Sequence, residues 1–188
     1  DVKGISLAEQ NICFEYTSKY QLKKIILKIT EILSKKKNLF IPANELFSCR
    51  KTIDDKELFK LDRKLVEFLG IRGYGVHLIA YIKKKNSYKL WVPKRNKKKL
   101  ASPSKFDNSV AGGVRAGEDI FGALEREAYE EAGLKKEQLN NVKLVGTLNY
   151  NWKNSPYTIR RDTLYLFDLE VDNKFKPQCL DGEVEKFE

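Results

Sequence analysis

A chain of 188 residues, 41% hydrophobic and 33% charged, can bury one good-sized core or one domain with a smaller appendage. It has no apolar run near the roughly 18 residues of a spanning helix, and its three scattered cysteines and single histidine argue against a disulfide framework, a zinc cluster or a histidine-based triad. The net charge of +10 rests on lysines spread through loops rather than interleaved with aromatics, which reads first as an ordinary solvated basic surface, next as a surface that helps collect anionic substrates, with a nucleic acid the less favoured partner.

Taken in chain order, residues 1–69 read as a small, mostly helical N-terminal region. Leu22, Ile25, Ile26, Ile29, Ile32 and Leu33 recur at three- and four-residue spacing, which predicts an amphipathic helix over 20–34. Lys35, Lys36 and Lys37 follow, where positive charge suits a helix C-terminus. A second helix is expected over 55–68, with Leu58, Leu61, Leu65 and Phe68 as its stripe.

From Gly70 to the end at Glu188 a second domain is expected. Segments 74–82 and 88–92 are rich in aromatic and β-branched residues and predict a hairpin around a turn at 83–87, with Pro93 ending the regularity of its second strand. A loop over 96–105 leads to the glycine-bearing segment 110–117. A helix then runs from Glu118 or Asp119 to Gly133, a fitting C-terminal cap. Two strands, 142–151 and 158–171, flank a turn at Asn154, Ser155 and Pro156. This order predicts an α/β domain with a mixed sheet flanked by helices. The chain contains no methionine and stops within a charged segment at Phe187 and Glu188, which suggests a truncated C-terminus and a piece of a longer protein. The composition fits an intracellular, cytoplasmic protein with no membrane association.

The chemistry is concentrated in one stretch. Glu127, Glu130 and Glu131 stand three and four residues apart on the 118–133 helix and so share a face. Three crowded carboxylates repel one another unless a counter-charge is present. Magnesium, a hard ion that takes oxygen ligands and keeps several waters, is the natural partner when the other ligand is a phosphate chain. Glycines ahead of the helix allow close backbone approach and an inward carbonyl. Arg126 is placed to pair with Glu130 or to reach Glu118 and so fix the carboxylates. Phe121, Leu124, Ala128 and Ala132 form the neighbouring apolar stripe.

Gly112, Glu118, Arg126, Glu127, Glu130, Glu131 and Gly133, at these spacings, resemble the signature of the Nudix hydrolase superfamily, with Ala128 where a larger aliphatic residue is usual. The resemblance implies an α/β/α sandwich and attack of water on a phosphorus of a small organic diphosphate. It implies that Glu127, Glu130 and Glu131 hold magnesium (or manganese in its place) together with a backbone carbonyl at Ala111 or Gly112. It further implies that Glu130 or Glu131 takes the proton of the water, and that a late acid, Glu183 or Glu185, contributes.

The order of further segments is similar to the Nudix subfamily related to proteins fused to thiamine pyrophosphokinase. These are Asn44 to Phe47, Gly73 to His77, Leu90 to Arg95, Phe106 to Gly113, and Lys176 to Gln178 followed by Asp181 to Glu185. That resemblance implies thiamine diphosphate or its oxidised forms as substrate, cut to the monophosphate. Ser102, Pro103, Ser104, Lys105 and Phe106 stand where the subfamily has a Pro-Gly pair and a tryptophan, so the pocket is expected to differ there. Lys94, Arg95 and Lys105 suit the binding of a diphosphate, and Trp152 the stacking of a flat heterocycle, whereas Trp91 and His77 read as structural.

Three alternatives compete. A nucleotide or capped-RNA pyrophosphohydrolase is suggested by the basic charge. A module that binds without catalysis is opposed by the intact glutamates. Isopentenyl-diphosphate isomerases are similar in fold and box but carry a cysteine shortly before it, where this chain has Ser109.

Overall fold

The structure, a computed structural model, describes residues 2–9, 11–36, 40–99 and 102–188, and all their side chains except those of Asn11 and Asn154. Lys37 of the first lysine run, and two positions of the loop expected over 96–105, lie outside the described residues. The chain divides into two compact units, Asp1–Gly73 with Tyr150–Arg161, and Tyr74–Asn149 with Asp162–Glu188. The sequence sets residues 1–69 against 70–188, whereas in the structure Tyr150–Arg161 groups with the first unit.

In the first unit, β1 (Ile5–Ala8) pairs antiparallel with β2 (Asn11–Phe14). Helix α1 (Lys19–Ser34) follows, capped by Ser18, whose hydroxyl accepts from the Gln21 N–H at 3.2 Å. Its stripe divides: Leu22 and Ile25 are buried, while Ile26, Ile29 and Leu33 pack against Phe40, Phe47, Leu61 and Leu65. Strands β3 (Leu46–Cys49) and β4 (Phe59–Asp62) pair antiparallel, and α2 (Arg63–Phe68) completes this core.

The helix expected over 55–68 is therefore a strand and a shorter helix. Phe59 and Leu61, two apart, turn to the same core as strand residues do, and Leu58 stays exposed. Asp62 makes the break. Its carboxylate accepts from the Lys64 N–H that opens α2 (2.8 Å) and from the N–H groups of Ala43 and Asn44 (3.1 and 2.9 Å). With two ladders beside its helices, this region mixes strand and helix in place of the mostly helical region expected from the sequence.

The central sheet runs β6–β5–β10–β9, with β8 also on β5. Its members are β5 (Arg72–Lys83), β6 (Tyr88–Leu90), β8 (Val110–Gly113), β9 (Lys143–Ser155) and β10 (Thr158–Glu170). Between β6 and β8 lies β7 (Pro93–Arg95), which pairs antiparallel with β11 (Val184–Phe187). Pro93 thus opens a strand instead of ending regularity. As the first residue, opposite Phe187, it contributes a carbonyl that accepts from Asp107 N–H at 3.0 Å, and its missing N–H costs the ladder nothing.

Val76, Leu78, Ala80 and Ile82 are buried at alternate positions along β5, and Ala123, Leu124, Ala128 and Ala132 of helix α3 (Ile120–Ala132) are buried in the same unit. Phe121 of α3 packs edge-on against Phe167 of β10, ring centroids 5.7 Å apart. A short 3-10 turn at Lys136–Leu139 leads from α3 to β9. The α/β class and the hairpins expected from the sequence are present. Among the described residues no helix is long and apolar enough to cross a membrane.

Candidate active site on helix α3

Two local devices set the helix that carries the acids. Asp119 caps its start, accepting from Gly122 N–H at 2.7 Å. Gly133 ends it in the left-handed conformation, φ 67°, a geometry that favours glycine. The apolar stripe then seats α3 in the core and leaves Glu127, Glu130 and Glu131 beside β8.

Arg126 organises the cluster. Its guanidinium grips Glu118 with two bonds (Nε to Oε1 2.6 Å, Nη2 to Oε2 3.0 Å) and donates to Glu127 at 2.6 Å and Glu130 at 3.2 Å. A last bond, from Nη2 to the Gly113 carbonyl at 2.9 Å, ties the group to β8. The two pairings read as alternatives in the sequence are therefore made together. Arg115, which sequence reasoning did not single out, donates its N–H to Glu118 at 2.9 Å and brings its guanidinium within 3.8 Å of Glu130. Its place within the box spacing was the only signal.

Gly112 is required by space. A Cβ there would fall 1.9 Å from Glu127 Cδ. Next to it, the Ala111 N–H donates to Glu131 Oε2 at 2.8 Å. Strand β8 thus meets two of the three acids directly, through a hydrogen bond at one residue and bare backbone at the next.

These contacts give the carboxyls different electrostatics. Burial alone would raise Glu118, but the Arg126 fork and the Arg115 N–H outweigh it and hold that carboxyl below the ordinary range. Burial pushes Glu127 up, against the pull of Arg126. Burial also lifts Glu131 from 4.5 to about 8, against the pull of the Ala111 N–H, and repulsion from Glu127, Glu183 and Asp181 adds to the rise. Asp181 is thereby an acid of this neighbourhood that sequence reasoning passed over in favour of Glu183 and Glu185.

Among the described residues no three histidine, cysteine or acidic side chains already stand around a single cation position. Glu127 and Glu130 are drawn onto Arg126 instead. The donor chemistry nonetheless suits a hard divalent cation: oxygen ligands on one helix face, two of them pushed toward protonation by burial that a cation would relieve.

The other expected residues are distributed as follows. Glu183 forms an ion pair with Lys99, and its carbonyl accepts from Asn96 N–H at 2.9 Å, which clasps the late loop to the loop after β7. Glu185 is exposed on β11. Lys94 lies on β7 opposite Lys186, Arg95 is ion-paired with Asp107 at 2.6 Å, and the carbonyl of the exposed Lys105 accepts from Arg95 N–H at 2.9 Å. Trp152 is 63% exposed and belongs to the first unit, whereas Lys94, Arg95 and Lys105 belong to the second. His77 shares a 2.8 Å hydrogen bond with Asn108. Ser109 is buried and committed, donating to the Trp91 carbonyl at 2.6 Å and accepting from Ala80 N–H at 2.8 Å.

The NUDIX domain family matches residues 72–188. The chain is 35% identical over 144 residues to Nudix hydrolase 20, chloroplastic, of Arabidopsis thaliana, covering 77% of this chain and 38% of that protein. It is 30% identical over 164 residues to Nudix hydrolase 24, chloroplastic, of the same plant, covering 87% and 45%. The chain thus spans less than half the length of these two relatives. In fold it resembles DR0079 from Deinococcus radiodurans, with a TM-score of 0.54 at 19% identity, over 77% of this chain and 82% of that one. A Nudix α/β/α sandwich fits the mixed sheet and its helices, and the carboxylate helix beside Gly112 lies inside the matched region: the chain belongs to the Nudix domain family.

Proposed function

We propose that the chain hydrolyses a diphosphate linkage in a small organic diphosphate, with magnesium as cofactor. The observation that carries this reading is the set of half-buried Glu118, buried Glu127 and half-buried Glu130 gathered on Arg126, with buried Glu131 alongside on the Ala111 N–H. Glu127, Glu130 and Glu131, with a carbonyl at Ala111 or Gly112, are the groups to hold the metal. When bound, the ion neutralises phosphoryl oxygens and lowers the pKa of water. Arg126 holds Glu118 and steadies the acids from behind. Glu130 or Glu131 accepts the proton of the attacking water, whose oxygen bonds to phosphorus as the bridging P–O bond breaks. Lys94 and Lys105 supply donors for the substrate's phosphates, whereas Arg95 is already committed to Asp107.

The segments around the box support thiamine diphosphate or its oxidised forms as the substrate, cut to the monophosphate. The test is a panel of thiamine diphosphate, its oxidised form, ADP-ribose, nucleoside triphosphates and capped RNA, incubated with magnesium and followed by chromatography, with Glu130→Gln as control. Metal-dependent cleavage of a thiamine compound, lost in the control, is the expected result. Cleavage of another member retains the hydrolase and discards thiamine. A folded, magnesium-binding protein with no turnover on any member refutes the hydrolase reading in favour of a binding module.

A further inference from the structure

The surplus positive charge is not shared evenly between the two units. Asp1–Gly73 with Tyr150–Arg161 carries 18 lysines and arginines against 10 acids, a net +8. The unit that holds the carboxylate helix carries 18 against 16, a net +2. Most of the surplus thus belongs to a unit with none of the α3 glutamates. Helix α1 concentrates it. The helix has four lysines, no arginine and one acid, Glu31, which Lys28 and Lys35 hold at 2.9 and 2.8 Å. Leu22 and Ile25 are buried, and Ile26, Ile29 and Leu33 pack on the core of this unit, so the opposite side of α1 faces solvent. The middle of that side is apolar: Tyr20 and Leu27, seven residues and thus two turns apart, are 69% and 58% exposed. By helical spacing Lys23 lies on one flank of this stripe and Lys24 and Lys28 on the other, all of them exposed.

These features narrow the kind of partner. A leucine at the centre of a lysine-flanked face gains nothing from a nucleic-acid backbone, but is withdrawn from water when the face lies on lipid. Tyrosine favours the boundary between headgroups and acyl chains. Lysine stems cover the edges of an apolar stripe while their ammonium groups stay level with anionic headgroups. A nucleobase, by contrast, meets a Tyr20 ring already covered on one side by the Lys24 ammonium, 4.6 Å from its centre. The helix also lacks the arginines that suit paired recognition of phosphates. A single convex helix face offers no groove to a peptide, and a bilayer surface needs none.

We propose that the outward face of α1 binds an anionic lipid surface, with Tyr20 and Leu27 dipping into the headgroup boundary and Lys23, Lys24 and Lys28 resting on the headgroups. At 16 residues α1 lies on the bilayer without crossing it, which is why a composition read for spanning segments does not show it. The association is independent of catalysis. To test it, the chain is sedimented with vesicles of phosphatidylcholine alone and of phosphatidylcholine mixed with phosphatidylserine, and single-stranded RNA is titrated in parallel. Binding is expected to the mixed vesicles only, and to weaken as salt rises. Each lysine near an anionic surface strengthens binding by about fivefold, so Lys23→Gln with Lys24→Gln should weaken it by about 25-fold. Leu27→Gln leaves the charge unchanged and should weaken it by at least about tenfold, the effect of withholding one leucine from an apolar phase. All three side chains are exposed, so thermal melting should not change. If the double variant does not fold, Lys23→Gln alone decides, at about fivefold. Failure to sediment with the mixed vesicles, equal binding to both kinds, or unchanged affinity in Leu27→Gln each overturn the proposal. RNA binding in place of vesicle binding, weakened by the lysine pair and indifferent to Leu27→Gln, assigns the face to a nucleic acid and overturns it as well.

Discussion

Replacing Gly112 by alanine is the smallest change that tests how β8 shapes the acid cluster. The added Cβ would lie 1.9 Å from Glu127 Cδ, 2.0 Å from Oε1 and 2.3 Å from Cγ. Ordinary carbon contacts sit at about 3.5–4.0 Å, so the Glu127 carboxyl has to retreat by about 1.5 Å or more. That displacement carries the 2.6 Å bond to Arg126 beyond hydrogen-bonding range. Misplacement by about 1 Å at a reacting centre can cost about 100-fold, so kcat/KM with magnesium is expected to fall by at least about that factor. Stability should fall by about 2 kcal/mol at most, since one charge-assisted bond is lost and a flexible side chain can move. The assay is turnover, magnesium affinity by calorimetry and thermal melting, each repeated in a Glu127→Ala background, where the new methyl meets no carboxyl. Activity of Gly112→Ala within about threefold of the parent would refute the reasoning. So would an equal loss of magnesium affinity or stability in the Glu127→Ala background, because the effect must run through that side chain.

Further expected outcomes concern charge, caps and burial. Glu131 has a folded pKa of about 8 against 4.5 when exposed, so the native state holds an extra proton between those values. In EDTA its contribution to stability is therefore full below pH 4.5 and lost as pH rises to about 8, bounded at about 5 kcal/mol by about 1.4 kcal/mol per pH unit. Magnesium favours the deprotonated carboxylate, so the rise in Tm on adding it should be larger near pH 8 than near pH 5; melts in EDTA and in magnesium across this range check both signs. Asp119→Ala removes the 2.7 Å cap on Gly122 and should cost about 1 kcal/mol, read as a drop of about 2–4 °C in Tm. Ser109→Ala leaves the Ala80 N–H buried without its acceptor and should destabilise by about 1–3 kcal/mol in denaturant titration.

Much of the site was legible along the chain because its devices are local. The limits of α3 follow from Asp119 and Gly133, and the shared face of Glu127, Glu130 and Glu131 follows from helical spacing alone. The space needed at Gly112 also had a sequence signal, since the glycines before the helix invite a close approach. The amphipathic helix α1 and the β5–β6 and β9–β10 hairpins were equally readable, being set by short-range periodicity and turn residues.

What only the tertiary structure decided is which groups the fold brings together, near or far along the chain. Leu58, Leu61, Leu65 and Phe68 fit a helix by spacing, yet pairing with β3 and the triple use of Asp62 as acceptor made residues 59–62 a strand. Pro93 became a strand residue because β11, some ninety positions later, lies against it. The choice for Arg126 between Glu118 and Glu130 had no meaning until the fold let one guanidinium reach both, along with Glu127 and the Gly113 carbonyl. Asp181 near Glu131, Ser109 fastened between Ala80 and Trp91, and Trp152 in the other unit are of the same kind. Periodicity reports which face of an element is apolar; which distant backbone group or charge that face then meets is settled only when the chain closes on itself.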